Sequence, residues 1–576
     1  MDGRRGGMTG IAITFEGTEY QARPGESLAA ALIAGGVKHF RETRNGACRG
    51  IFCGMGVCQE CLVEIDGRPN QRACMTKVVA PISVKRSLGN AVLPLDVAQT
   101  VVIEPMQVRS PDVLVIGAGP GGLAAALAAR QAGASVVVLD ERSLAGGQYY
   151  KQLSVEGPDI APPDRQHRQG AELIAQVRAA GVEMIGDALV WGAFEPGEYG
   201  VAINGHTQRW KPRATIIATG AYERGWQVPG WTLPGVMTTG AAQTLWRTAR
   251  RLPGQRVLIA GNGPLNLQLA AELRAGGATV VAVVEAAAAP GLSSLSSLLR
   301  MVASAPGLVL DGLRYRLALQ QGKGRMIHRT LVSGIEALGE TLRVSLCDVD
   351  GQPQPESFEV DCVCLGYGFE PANELLRALG CSHDYDPGRR QLVTRRDARG
   401  QTDIDGVFAL GDCTGMGGAK AALAEGRLVG LEAAITCGYQ PSGELHESGR
   451  EAEAELKRQR AFQKALWTLY KADAKPPTVN SSAKAGCLVC RCEEVSFATL
   501  QQALDGGIST VGAIKRHTRI GMGRCQGRYC AATLDEQVCA MTGAQRSELS
   551  GFAPRLPVKP VTIAELAGAL EKIDNT

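Results

Sequence analysis

Histidine is scarce in this chain: seven occur in 576 residues, and none stands at a spacing that suits a metal site or a Ser/His/Asp arrangement. Triad hydrolysis and histidine-ligated metal chemistry therefore have no foothold. No run reaches 18 apolar residues free of charge, so no transmembrane segment is expected. A formal charge of +4 is small for this length and gives no argument for nucleic acid or an anionic membrane. Arg4-Arg5 has no apolar stretch behind it, so neither a signal peptide nor a twin-arginine signal is expected. The expected compartment is the reducing cytoplasm, because 17 clustered cysteines in so long a chain do not read as a secreted disulfide framework.

What is abundant is glycine, 72 residues, as several nucleotide-binding turns require. With 45% hydrophobic and 20% charged residues the chain has ordinary globular composition, enough for three or four domains of about 100–200 residues.

Cysteine spacing carries the most chemistry. Cys53, Cys58, Cys61 and Cys74 stand as C-x4-C-x2-C followed by a fourth after twelve residues. That is the plant-type 2Fe–2S pattern. Gly54 and Gly56 between them let backbone N–H groups approach the sulfurs, which helps set a reduction potential. Structural zinc also takes four thiolates, but from C-x2–4-C pairs. Around the loop, Ile11–Phe15 and Glu19–Arg23 read as strands, Leu28 to Ile33 as a helix, and Leu62–Ile65 as a strand before the Asp66-Gly67 turn. This order resembles the β-grasp ferredoxin fold. Cys48 reads as a bystander. A second set, Cys490-x-Cys492 and Cys525-x4-Cys530, stands near the other end, and zinc is a stronger rival there because C-x-C is less diagnostic. On this reading a one-electron carrier stands at each end of a middle region.

That middle region holds two glycine-rich turns. Val113–Ile116 is an apolar strand running into Gly117, Gly119 and Gly122, then an alanine-rich helix. The three glycines suit a tight turn, close approach of a pyrophosphate, and close helix–strand packing. A second strand ends at Asp140, 23 residues after Gly117, where an acid can bind a ribose hydroxyl. Thr215-Ile216-Ile217-Ala218-Thr219-Gly220 resembles the A-T-G element of two-dinucleotide flavoproteins, and Thr402 to Asp412 resembles their distal FAD fingerprint. In that family the terminal acid, here Asp412, bonds the ribityl chain, and a helix from about Gly417 aims its N-terminus at the flavin. FAD is the expected cofactor. The nested second turn carries Gly261 and Gly263 with Asn266 in the third glycine position, and its strand ends at Glu285. Glu285 suits NAD rather than NADP; an inherited site that is empty or holds another adenine nucleotide such as ATP stays open. No cysteine pair flanks either turn, which argues against a dithiol reductase. Cys413 beside Asp412, and Cys347, Cys362, Cys364, Cys381, Cys437 and Cys539, read as structural, and Cys487 as an outside competitor for ligation. No catalytic residue is assigned.

The expected organisation is multidomain α/β and α+β. It consists of a β-grasp 2Fe–2S domain over 1–108, a two-dinucleotide flavoprotein core over 109–445 with a nested module at about 240–365, and an amphipathic helix and linker over 446–485. A small helical 2Fe–2S domain over 486–545, resembling the bacterioferritin-associated ferredoxin type, and a tail over 546–576 complete it.

Together these segments resemble the large subunit of heteromeric flavin-dependent amino-acid and opine dehydrogenases, the group of opine oxidase, hydroxyproline and proline dehydrogenases, hydrogen cyanide synthase and sarcosine oxidase. The resemblance rests on Cys53 to Cys74, on the FAD fingerprints, and on Gly521-Met522-Gly523-Arg524-Cys525-Gln526-Gly527-Arg528-Tyr529-Cys530. It implies an oxidase-like partner subunit with its own FAD that holds the amine, FMN near the subunit interface in some members, and an external electron acceptor. The alternatives are a stand-alone NAD(P)H-dependent reductase and a redox-silent assembly subunit.

Overall fold

The computed structural model describes residues 10–89, 106–157, 160–322, 324–472 and 485–567. Of the helix and linker expected over 446–485, residues 473–484 lie outside them.

The first unit is a five-stranded mixed sheet in the order Thr18–Ala22, Ile11–Phe15, Ile82–Arg86, Leu62–Ile65, Arg68–Arg72. The helix Leu28–Ala34 crosses it. Ser27 caps that helix by accepting from Ala30 N, and Leu28 to Leu32 are all buried against the sheet.

Two parallel sheets follow, each of five strands. One runs Glu183–Ile185, Val136–Leu139, Val113–Ile116, Ala214–Ile217, Val407–Ala409. Its strands are apolar on both faces because both are buried: helices including Pro120–Gln131 and Ala419–Thr436 cover one, and the antiparallel strands Ala188–Glu195, Glu198–Ile203 and His206–Trp210 cover the other. Pro120–Gln131 packs against Ala419–Thr436 at very short range, since side chains at Gly426 and Gly430 would collide with the carbonyls of Gly121 and Ala125. The other sheet runs Val236–Thr238, Cys362–Gly366, Arg256–Gly261, Thr279–Glu285, Arg325–His328. A three-stranded antiparallel sheet, Thr330–Leu338 with Thr341–Asp348 and Pro353–Val360, extends this second unit.

The amphipathic helix expected within 446–485 begins ahead of that segment and spans Gly443–Leu469, because the Ser442 hydroxyl accepts from Leu445 N and caps it. Its buried Ala452 and Leu456 pack on Ala421, Ala424 and Leu428. Among the described residues no single helix is long and apolar enough to cross a membrane.

The last unit is helical: Phe497–Asp505, Val511–Thr518 and Ala531–Thr542. Residues 546–567 return over the first parallel unit. Val558 N donates to Trp191 O, Thr207 donates to Glu565 O, and Arg528 Nη2 donates to Val558 O. Lys559 pairs with Glu141, which also takes Arg72 of the first unit at 2.6 Å. One half-buried carboxylate thus joins three parts of the chain.

Candidate functional site

The first glycine turn divides its labour as its conformations require. Gly117 has φ +112°, a value strained for any side chain, and a Cβ there would overlap Ala218 O. Gly119 has φ −76° and nothing within 4 Å of where its Cβ would lie, so open space faces the helix N-terminus at Pro120. Gly122 is packed so that a Cβ would overlap Gly117 O and stand 3.3 Å from Val115 Cγ1. Asp140 braces this turn: its carboxylate accepts from Ala118 N at 2.6 Å and Arg142 N at 2.8 Å. Burial pushes the Asp140 carboxyl up, against those two N–H groups. Gly220 has φ +72° with open space around it, and Thr219 is fixed by donating to Ala372 O at 2.6 Å. Asp412 accepts from Gly417 N and Gly418 N at 2.9 and 2.8 Å, both on Oδ1, and so holds the loop before Ala419–Thr436. The set of open glycines, helix N-terminus and two acids fits a dinucleotide flavin.

In the nested turn Asn266 is buried, bonded to Thr239 Oγ1 at 2.9 Å and to Gly366 O at 3.4 Å, so a side-chain bridge replaces the close glycine packing. Gly263 keeps φ +123° and open space. Glu285 accepts from Gly263 N at 3.1 Å and Ala287 N at 2.9 Å, and burial pushes its carboxyl up to about 7. Gly261 is closed off by Gly366 and Asn266.

The cysteines stand in pairs. Cys53 neighbours Cys58, and Cys61 neighbours Cys74, each pair within side-chain hydrogen-bonding reach. Met55 N and Cys58 N both donate to Cys53 Sγ at 3.4 Å, and Cys74 N donates to Cys61 Sγ at 3.4 Å. Gly54, Gly56 and Gln59 take positive φ to turn the loop inward. Burial raises Cys53, but the Cys58 thiol and the loop N–H groups outweigh it and bring Cys53 down to about 6, while burial and Cys53 hold Cys58 well up. At the other set Cys490 neighbours Cys530 and Cys492 neighbours Cys525. Among the described residues no three His, Cys, Asp or Glu side chains converge on one metal position. Two thiols for each of two irons fits the first set to a 2Fe–2S cluster, whereas structural zinc asks four ligands to converge. Cys48 is exposed, Cys413 is buried against Ile217 O and Leu410 O, and Cys487 is buried with its thiol pushed up to about 12.

The two cysteine sets are not at opposite ends of the core. They adjoin. Arg491, between Cys490 and Cys492, donates to Glu60, next to Cys61, at 3.1 Å, and both side chains are buried. Arg41 and Arg49 also reach Glu60, at 2.9 and 3.7 Å, and Arg49 bonds Glu494 at 3.1 Å. Phe52, beside Cys53, meets Tyr529, beside Cys530, edge-on at 5.2 Å and lies under Arg491 at 3.6 Å. Burial raises the Glu60 carboxyl, but Arg491, Arg41 and Arg49 outweigh it and hold it below the usual range. Chain order put the sets apart because residues 60 and 491 share no local signal; only Arg491's place inside C-x-C hinted at a role.

The first set also docks on the core. Thr238 N donates to Phe52 O at 2.8 Å, and a Cβ on Gly54 would come 2.9 Å from Ala241 Cα of the helix Thr239–Ala249. Near by, buried Glu223 accepts from Gly240 N at 2.8 Å while its Oε1 has no partner among the described residues, and burial pushes it up to about 7. Lys151, buried beside Gln148 O and Gln243, is held well below its ordinary value by burial. Sequence reasoning singled out neither residue. Of the arginines around the second cysteine set, Arg519 pairs with Glu493 and Arg528 with Glu374. A cavity of about 330 Å³ lies between Arg377, Arg390, Lys515, Gln526 and Phe552.

Three family models match: "Pyridine nucleotide-disulphide oxidoreductase" over residues 111–426, "2Fe-2S iron-sulfur cluster binding domain" over 9–88, and "Sarcosine oxidase A3 domain" over 487–569. Fold and site define a flavin-dependent oxidoreductase with an N-terminal 2Fe–2S domain joined to it. More narrowly, the chain belongs to the pyridine nucleotide-disulphide oxidoreductase family, in the group that includes the A-type subunits of opine oxidases. The A-type opine oxidase polypeptide of Agrobacterium tumefaciens (strain Ach5) is 33% identical over 79% of this chain and 91% of its own length. Hydrogen cyanide synthase subunit HcnB of Pseudomonas protegens (strain DSM 19095 / LMG 27888 / CFBP 6595 / CHA0) is 28% identical over 78% and 96%. The alpha subunit of sarcosine oxidase from Corynebacterium sp. (strain P-1) is 24% identical over 97% of this chain, which spans 56% of that protein. The crystal structure of L-proline dehydrogenase from P. horikoshii shares the fold, with a TM-score of 0.70 at 20% identity over 98% of both chains.

Proposed function

We propose that the chain is the electron-relay subunit of a heteromeric dehydrogenase that oxidises the C–N bond of an amino acid, opine or secondary amine. An oxidase-like partner with its own FAD holds the amine, and an external acceptor takes the electrons. The observation that carries this reading is the meeting of both cysteine sets on one face of the flavin core, at Phe52, Trp231 and Tyr529. The names of the relatives, subunits of opine and sarcosine oxidases, support it.

When bound, FAD exchanges two-electron for one-electron chemistry, and 2Fe–2S clusters carry single electrons. Cys53, Cys58, Cys61 and Cys74 would hold one cluster, and Cys490, Cys492, Cys525 and Cys530 a second; paired rather than converging thiols support iron over zinc there. The N-terminus of Pro120–Gln131, open at Gly119, offers N–H groups and positive potential to the pyrophosphate. Asp140 keeps lone pairs for a ribose hydroxyl beyond the two N–H bonds it accepts, and Asp412 keeps Oδ2 for the ribityl chain. FMN would sit where the partner docks.

A stand-alone NAD(P)H-dependent reductase is the second reading. It is favoured by the open approach at Gly263 beneath Glu285, which suits an adenine nucleotide, NAD or ATP. Stopped-flow measurement on the co-expressed complex separates the two. On the relay reading Cys525→Ser slows electron delivery to the acceptor while amine-driven flavin reduction keeps its rate. Flavin bleaching by NADH in the isolated chain, at a rate matching turnover, would replace the relay with the reductase.

A further inference from the structure

We infer that Glu60 and Arg491 form one buried charge pair shared by two iron–sulfur sites, so that the two cysteine sets work as a single redox unit whose potentials move together. The inference rests on the reading that both sets hold clusters. It goes beyond that reading by assigning the residues that couple them.

The geometry carries it. Glu60 precedes Cys61 in the chain, and Arg491 lies between two cysteines of the other set. Their side chains meet at 3.1 Å with exposures of 0% and 2%, so solvent does not screen the pair. Its charges lie at both sets, since Glu60 is within two residues of Cys58 and Cys61 and Arg491 is next to Cys490 and Cys492. Arg491 is clamped by Phe52 at 3.6 Å and Trp231 at 4.7 Å, which fixes where its charge sits. Its Nη1 is buried and has no hydrogen-bond partner among the described residues. A buried guanidinium N–H without an acceptor is costly, and a cluster sulfur would satisfy it. Tyr529, next to Cys530, makes a second contact between the sets, meeting Phe52 beside Cys53 edge-on at 5.2 Å.

Reduction adds one negative charge to a cluster, so a nearby carboxylate lowers its potential and a nearby guanidinium raises it. Both residues act as positioning groups for charge and orientation; neither supplies or removes an electron. Removing the charge of Glu60 should therefore raise both potentials, and removing that of Arg491 should lower both.

The test is a redox titration of the full chain, followed by electron paramagnetic resonance, with iron content measured on each sample. Glu60→Gln should shift both cluster potentials upward by about tenfold in the one-electron equilibrium, about 59 mV. Arg491→Gln should shift both downward, and Arg491→Lys should restore most of the wild-type values. In the fully reduced wild-type chain the two signals should broaden one another, a measurement that stands even if the Arg491 variants lose a cluster. A shift confined to one cluster, or no shift with about four irons present, would overturn the coupling. A single cluster with about two irons in the wild-type chain would instead take down the two-cluster reading, and the inference with it.

Discussion

Gly119 and Gly122 are three residues apart in one turn, yet alanine should act on them in opposite ways. At Gly119 the backbone has an ordinary φ of −76° and no atom stands within 4 Å of the new methyl group. The polypeptide therefore loses nothing, and replacing glycine near a helix start even removes some unfolded-state freedom. The methyl group does intrude on the space through which a pyrophosphate reaches the helix N–H groups. Each charge-assisted hydrogen bond lost is worth about 1.5–3 kcal/mol. That is roughly ten- to a hundredfold in FAD affinity. At Gly122 the same methyl group overlaps Gly117 O and stands 3.1 Å from its carbonyl carbon, so helix and strand must separate. Overpacking of this kind costs about 1–3 kcal/mol. The assay is FAD content by absorbance after purification, beside thermal unfolding of apoprotein and iron content as a control. Gly119→Ala should unfold at the wild-type temperature, keep its iron and lose flavin; Gly119→Val should lose it entirely. Gly122→Ala should unfold earlier. Full flavin content in folded Gly119→Val would refute the assignment of this turn to FAD.

Elemental analysis should find about four irons per chain and no zinc, and Cys525→Ser should retain about two, since the paired thiols of residues 53–74 lie in another unit. Stoichiometric zinc would reassign the C-terminal set. Glu223 should titrate near 7, giving a protonated-carboxyl infrared band below that pH that Glu223→Gln lacks. Burial raises this acid from its ordinary 4.5, so the unfolded chain ionises first and stability falls as pH rises from 4.5 to about 7. The loss is about 3 kcal/mol. A band absent at pH 5 would show that the carboxylate is ionised and paired.

Local patterns reported local structure well. Val113–Ile116 and Val136–Leu139 are strands because a sheet buried on both faces wants unbroken apolar runs, and such runs are visible without any partner. The N-terminal 2Fe–2S domain was equally legible, since one short loop holds three of its cysteines and the fourth lies one hairpin away. The start of Gly443–Leu469 was overlooked because Ser442, a good cap, stands before a polar first turn without apolar periodicity. Hidden altogether was the meeting of Glu60 with Arg491. It depends on how the first and last units dock on the helix Thr239–Ala249 and on Trp231, whose indole donates to Leu488 O at 2.9 Å. No pattern along the chain encodes that docking. Glu223 and Lys151 were hidden for the same reason: an isolated Glu and an isolated Lys read as surface residues until the fold buries them.

The relay claim is tested most directly by comparing amine oxidation by the purified chain with that by the same chain co-expressed with its oxidase-like partner, using an artificial dye as acceptor. The account predicts a stable hetero-oligomer that reduces the dye at the expense of an opine, amino acid or secondary amine, and no amine turnover by the single chain. Turnover by the single chain at the rate of the complex would contradict it.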